Sequence, residues 1–209
     1  MSINLQINIP QTLRKQITER RKEKIIAVAS ARQDSLRLVL ENVHDPHNVS
    51  AVFRSCDAVG IPKVSLIYNI EKYPKIGSKS SASAFKWVEK EKFTEVKNCY
   101  DHLREEGFTI LASSLKANSL NLYELDLTKK VALVFGNEHR GISEEAENFA
   151  DNIFYIPMQG MVQSLNISVA AAVTLYEAMR QRMIKGFYNQ QNDNSELIEQ
   201  RINDWLNNK

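Results

Sequence analysis

Apolar positions along this chain come in short continuous runs separated by stretches with helical spacing, and that alternation predicts a parallel-sheet α/β domain. The runs are Leu36–Val43 (LRLVLENV), Lys63–Tyr68 (KVSLIY), Phe108–Ala112 (FTILA), Val131–Phe135 (VALVF) and Ile153–Ile156 (IFYI), with a further short strand expected at Phe85–Val88. Val131–Phe135 is apolar throughout, as an interior parallel strand requires. Pro157 ends the Ile153 run because proline has no N–H for a ladder.

Helical spacing covers residues 11 to 33, the stretch opened by Asn48 and closed by Gly60 ahead of Pro62, and residues 94 to 106 before Gly107. Ser143-Glu144-Glu145 opens a short helix, and a long one follows IPMQGMVQSLN. In that long helix Leu165, Val169, Val173, Tyr176 and Met179 mark an apolar stripe, and Ala170, Ala171 and Ala172 admit a second backbone at close range. Either Ser164 or Asn166 supplies its N-terminal cap. Ile70 to Ala84, with Gly77 and a run of serines, reads as a long loop. The expected organisation is a basic helical arm over residues 1–35, one domain over 36–186, and an extension over 187–209. Leu197, Ile198, Ile202, Trp205 and Leu206 in that extension make an amphipathic helix that docks on the core.

The 209 residues suffice for one domain with a full core, and 43% hydrophobic with 25% charged residues is a globular composition. No apolar run reaches the roughly 18 residues of a membrane span, and no secretory leader is visible, so the cytoplasm is expected. Cys56 and Cys99 lie far apart without ligand spacing and read as structural thiols. His44 and His47 flank Asp-Pro in a turn, which is not a metal-binding arrangement, and no metal is expected. The net charge of +2 says little. Its distribution says more: Arg14, Lys15, Arg20, Arg21, Lys22, Lys24, Arg32 and Arg37 face only Glu19, Glu23 and Asp34, an excess that suits a phosphate backbone.

If the strands are parallel, the polar loops after Val43, Phe135 and Ile156 leave from one edge of the sheet, where ligands bind in such folds. Gln163, Ser164 and Asn166 then cluster at a helix N-terminus beside apolar Met158, Met161, Val162 and Leu165, a mouth for a ligand with polar and apolar edges. Several common chemistries are excluded. No G-x-G-x-x-G follows a strand, GNEHRG carries Ile142 where a phosphate loop needs lysine, and no G-x-S-x-G marks a nucleophile elbow.

Three segments in order, HDPHNVSAVFRSCDAVG (His44–Gly60), FGNEHRGISEEA (Phe135–Ala146) and IPMQGMVQSLNISVAAAVTLYEAMRQR (Ile156–Arg182), resemble the three motifs of the SPOUT-superfamily (SpoU) RNA ribose 2'-O-methyltransferases. The resemblance extends from about Leu36 to Arg182 and is greatest to the TrmH branch, which methylates guanosine-18 in the tRNA D-loop. It implies a C-terminal deep trefoil knot, S-adenosylmethionine held within it, and a homodimer that acts on tRNA. Arg54 would be the catalytic arginine, supported by Asn48, Glu138, Ser164 and Asn166. Gly136, Ile156, Met158 and Leu165 would line the cofactor cradle, with Ser113 at its border. The basic arm (Arg14, Arg20, Arg21, Lys24) and Arg140 would meet RNA. A target in ribosomal RNA or at another tRNA position, or an idle RNA-binding protein that keeps the knot, are the alternatives. Ser50 stands where many relatives carry glycine, and His139-Arg140 is an uncommon pair in the second motif.

Overall fold

Strand β1 (Leu36–Glu41) is buried along its whole length in the computed structural model, which describes residues 18–74, 84–189 and 195–207. Its side chains divide by parity: Leu36, Leu38 and Leu40 enter one core cluster and Val39 enters the other. Burial on both faces follows from helices on both sides of the sheet.

Six further strands join it: β2 (Lys63–Ile67), β3 (Glu89–Phe93), β4 (Thr109–Ser113), β5 (Leu120–Asn121), β6 (Val131–Phe135) and β7 (Asn152–Tyr155). All pairings are parallel, in the order β3-β2-β1-β6-β4-β7-β5. The parallel α/β expectation therefore holds. One strand falls elsewhere: residues 84–86 form a 3-10 turn, and the strand is Glu89–Phe93. Its EKEKF sequence alternates charge because an edge strand pairs on one side only.

The helices are α1 (Glu19–Ser30), α2 (Pro46–Val59), α3 (Val96–Glu105), α4 (Glu144–Phe149), α5 (Ile167–Ile184) and α6 (Ser195–Asn207). Val49, Val52 and Phe53 of α2 share a core with Ala171, Leu175 and Ala178 of α5 on one face of the sheet. Val96, Cys99, Tyr100 and Leu103 of α3 cover the other, with Ala146 of α4. Both cysteines are buried and free, and burial pushes the Cys99 thiol up to about 12.

The apolar stripe expected on α5 is only partly its buried face, since Val173 and Met179 pack against the core. Ile167, Ala171, Thr174, Leu175 and Ala178 are buried, whereas Val169 and Tyr176 are exposed. The small side chains of Ala171 and Ala178 let α2 approach closely. Arg182 anchors the helix's last turn. Its guanidinium is fully buried and donates to the carbonyls of Leu127, Ser35 and Lys129, to the Ser35 hydroxyl and to Gln33 Oε1. Burial lowers that guanidinium to about 10.

Helices α1 and α6 pack on each other through Ile25, Ala29, Ile198, Ile202, Trp205 and Leu206, with Trp87 against them. Buried Arg32 joins this unit to the body: it bonds Asp57 Oδ1 at 2.5 Å and lies 5.2 Å from the Trp205 ring. Because every strand runs parallel, the loops after β1, β2, β6 and β7 all leave from one edge.

Candidate active site

Helix α2 begins one turn past the end of β1. Asp45 is its cap, accepting from the His47 N–H at 2.8 Å, and Pro46 occupies the first turn, where its missing N–H is no loss. Asn48, expected to open the helix, is therefore inside its first turn, buried and free to use its side chain elsewhere. At the far end Gly60 takes φ +87°, and a Cβ there would stand 2.9 Å from the Ala31 carbonyl, so glycine is required.

The buried amide of Asn48 is the middle of a chain of hydrogen bonds. Its Nδ2 donates to Glu138 Oε1 at 3.0 Å, and its Oδ1 accepts from Asn166 Nδ2 at 3.1 Å. Glu138 also accepts from the backbone N–H groups of His44 at 3.0 Å and Asp45 at 3.1 Å. Burial alone would raise the Glu138 carboxyl, but the bonds from Asn48, His44 and Asp45 outweigh it and hold the group below the ordinary carboxylate range. Asn166, not Ser164, caps α5: its Oδ1 accepts from the Ser168 N–H at 2.9 Å. The loops after β1, β6 and β7 are thus joined by side chains.

A Cβ at Gly136 would come within 2.1 to 2.2 Å of the Gly141 and Ile142 backbone. The loop turns back on itself through Asn137 and Gly141, whose backbones exchange bonds at 2.8 and 2.9 Å. Asn137 fixes the turn from below, donating to the Asn42 carbonyl at 2.8 Å and accepting from the N–H groups of His139 and Arg140. The Ser143 N–H at its end is held by the buried carboxylate of Glu41 at 2.9 Å.

Beside this turn runs the segment from Ile156 to Asn166. Ile156, Met158 and Leu165 are half-buried, as is Ser113 at the end of β4, and Ser164 is exposed. From Met158 to Asn166 no backbone N–H meets a carbonyl of a described residue. The mouth therefore offers apolar side chains and unpaired backbone donors together, a donor set that fits a ligand carrying both a nucleobase and an amino-acid end.

Arg54 is exposed on α2, and among the described residues none forms a hydrogen bond or ion pair with it. Asn48 is turned into the hydrogen-bond chain and Arg54 toward solvent. Arg140 is half exposed, and its Nη2 bonds Glu71 Oε1 at 2.7 Å. Arg20, Arg21 and Lys24 are exposed on α1 and line a groove of about 530 Å³ with Trp87 and Trp205. Arg14 lies outside the described residues.

Residues 35–176, which contain this whole constellation apart from α1 and the end of α5, match the model of the SpoU rRNA Methylase family. The chain belongs to the SpoU methylase family. It is 42% identical over 189 residues to the tRNA (guanosine(18)-2'-O)-methyltransferase of Thermus thermophilus, covering 90% of this chain and 97% of the relative. Among solved structures it is similar to the A. aeolicus TrmH/SpoU tRNA modifying enzyme, with a TM-score of 0.84, 38% identity, and 90% and 95% of the two chains covered. A SpoU methyltransferase of Streptomyces viridochromogenes, AviRb, solved in complex with the cofactor AdoMet, is similar at a TM-score of 0.64 and 27% identity, covering 73% of this chain and 62% of that one.

Within this SpoU chain four polar residues had not been singled out: Glu41, Asn42, Glu71 and Asn137. Asn42 gave no local signal because its role comes from φ +51° and from partners 27 to 95 positions away. Asn137 stood inside the GNEHRG segment and was readable as a turn former.

Proposed function

We propose that this protein is an S-adenosylmethionine-dependent tRNA (guanosine-18) ribose 2'-O-methyltransferase that acts as a homodimer in the cytoplasm. The observation that carries the reading is the Asn166–Asn48–Glu138 chain, at 3.1 and 3.0 Å, which braces the loops after β1, β6 and β7 into one mouth. Relatives at 42% and 39% identity are named for that reaction, which supports the choice of tRNA over ribosomal RNA.

S-adenosylmethionine supplies a methyl group on a cationic sulfur. Ile156, Met158 and Leu165 would pack on its apolar parts, and Ser113 with the N–H groups after Met158 would take its polar edges. A C-terminal knot through the loops after β6 and β7 would form the cofactor cradle, as the family resemblance implies. Arg54 acts on the RNA. Its part is to clamp a phosphate beside the reacting ribose with two parallel donors. Asn48, Glu138 and Asn166 hold the walls in register, and Ser164 lies on the rim.

Exposed Val169 and Tyr176 on α5, with exposed Met161 and Val162 in the preceding loop, form an apolar surface that a second copy would cover. The groove of Arg20, Arg21 and Lys24 supports a grip on tRNA by the basic arm, residues 1–35, together with the extension 187–209. Incubation with a labelled methyl donor and unmodified tRNA, followed by mapping of the label, tests the assignment. Label on the 2'-oxygen of guanosine-18 is expected. Cofactor binding without transfer, or transfer only to another nucleotide or to ribosomal RNA, overturns it.

A further inference from the structure

On the same loops, a single carboxylate spans two side chains that suit an anion. Glu71 Oε1 accepts from Arg140 Nη2 at 2.7 Å, and Glu71 Oε2 lies 3.1 Å from His44 Nδ1. His44 belongs to the loop after β1 and gives its backbone N–H to Glu138. Arg140 belongs to the turn after β6, where Asn137 Oδ1 accepts its backbone N–H at 3.2 Å. Both donors are therefore fixed to the loops that build the active-site mouth.

The carboxylate is placed as firmly. Asn42 adopts φ +51°, uncommon for a residue with a Cβ, and its Oδ1 accepts from the consecutive N–H groups of Asn69, Ile70 and Glu71 at 3.2, 3.1 and 3.1 Å. Its Nδ2 donates to Asn69 Oδ1 at 2.7 Å. The segment that carries Glu71 is thus strapped to the end of β1. The donors are the outer members of the cluster: the Arg140 and His44 side chains are 52% and 70% exposed against 21% for Glu71. The bonds from Arg140 and His44 also hold the Glu71 carboxyl below its ordinary range.

We propose that His44 and Arg140 form a subsite for one phosphodiester of the RNA next to the reacting nucleotide, and that Glu71 occupies it until the RNA displaces it. The proposal rests on the RNA methyltransferase reading above. A carboxylate and a phosphate present the same kind of oxygen pair to a guanidinium fork, so one is a stand-in for the other. An exposed ion pair of this kind is weak enough to be exchanged. An RNA whose backbone follows another path cannot displace Glu71 and binds against it, so the contact also filters substrates.

Equilibrium binding of tRNA to wild type, E71Q, R140Q and E71Q/R140Q, with calorimetry of S-adenosylmethionine on each, tests this. E71Q is expected to bind tRNA about three-fold more tightly, the size of a released surface ion pair. R140Q is expected to bind it more weakly, the gain is expected to vanish in the double variant, and cofactor affinity is expected to stay constant throughout. Weaker or unchanged binding by E71Q makes Glu71 a structural strap and overturns the proposal. A gain that survives in E71Q/R140Q reduces it to general charge removal, which also overturns it. A wild-type protein that binds the cofactor but no tRNA removes the functional reading itself, and the subsite with it.

Discussion

Asn166 donates its side-chain amide to the side-chain carbonyl of Asn48 at 3.1 Å, across 118 positions of sequence. Both residues have a second duty, Asn166 as the cap of α5 and Asn48 as a donor to Glu138. Asn166→Ala is expected to lower stability by about 1 kcal/mol through the lost cap. Asn48→Ala and Asn166→Ala are each expected to weaken cofactor binding, and the double variant by less than their sum, with a coupling of about 0.5 to 3 kcal/mol. Urea unfolding and calorimetry on the four proteins of the cycle measure both. Strict additivity would mean that the bond does not organise the mouth.

Glu138 gives a pH signature. Its hydrogen bonds to Asn48, His44 and Asp45 hold the folded carboxyl below the ordinary carboxylate range, so it binds its proton less readily folded than unfolded. A depressed carboxyl contributes stability that is present above the unfolded value and is lost as pH falls through the folded one. Melting temperature of the wild type should therefore drop more steeply below about pH 4.5 than that of Glu138→Gln. Thermal scans between neutral and acid pH compare the two, and parallel acid limbs would contradict the hydrogen-bond account.

Gly136→Ala tests the doubled loop. The added methyl would overlap the Gly141–Ile142 backbone at 2.1 to 2.2 Å, and no rotamer change relieves a clash with main chain. The variant is expected to lose cofactor binding altogether and to be destabilised by more than about 3 kcal/mol, beyond ordinary overpacking. Gly141→Ala meets no atom but has φ +69°, so it is expected to be the milder change, paid in backbone strain. Similar losses for the two would argue that strain, not overlap, governs the turn.

How much of this was legible in the sequence depends on whether the cause was local. Val131–Phe135 is apolar throughout and forms β6 with the same bounds, and Gly60 closes α2 where it was expected. The edge strand Glu89–Phe93 was hidden because its charged residues pair across one neighbour and otherwise face solvent. On α5 the apolar stripe is split, Val173 and Met179 packing against the core while Val169 and Tyr176 are exposed, and Ala171 and Ala178 lie on the side that α2 packs against. Periodicity shows that a helix has an apolar side but not which of two such sides the core takes. The site residues proposed in the three motifs were read from family resemblance. Asn42 and Glu71 were not, because each acts through partners that only the folded sheet edge brings near.

Arg182 shows the same limit from inside the core. It carries no carboxylate partner among the described residues, and its charge rests on backbone carbonyls, Ser35 and Gln33. Arg182→Lys keeps a charge but cannot reach that many acceptors from one ammonium, and is expected to be destabilised by about 2 to 3 kcal/mol. Chemical denaturation measures the loss, and cofactor affinity of the folded fraction should be unaltered. A variant as stable as the wild type would mean that the planar fork is dispensable there.

Arg54 should behave in the opposite way. It is exposed and, among the described residues, has no bonding partner, so Arg54→Lys is expected to change stability by less than about 0.5 kcal/mol. A lysine cannot offer two parallel donors to a phosphate, so single-turnover methyl transfer is expected to fall about 100-fold or more while cofactor affinity is kept. Arg54→Ala should lose still more, and added guanidinium at millimolar concentration should restore part of it by filling the vacated position. A lysine variant with full turnover would show that only positive charge is needed, and would remove the planar clamp from the mechanism. A variant that loses stability as well as activity would instead place Arg54 among the residues that hold α2 in position, although it has no bonding partner among the described residues.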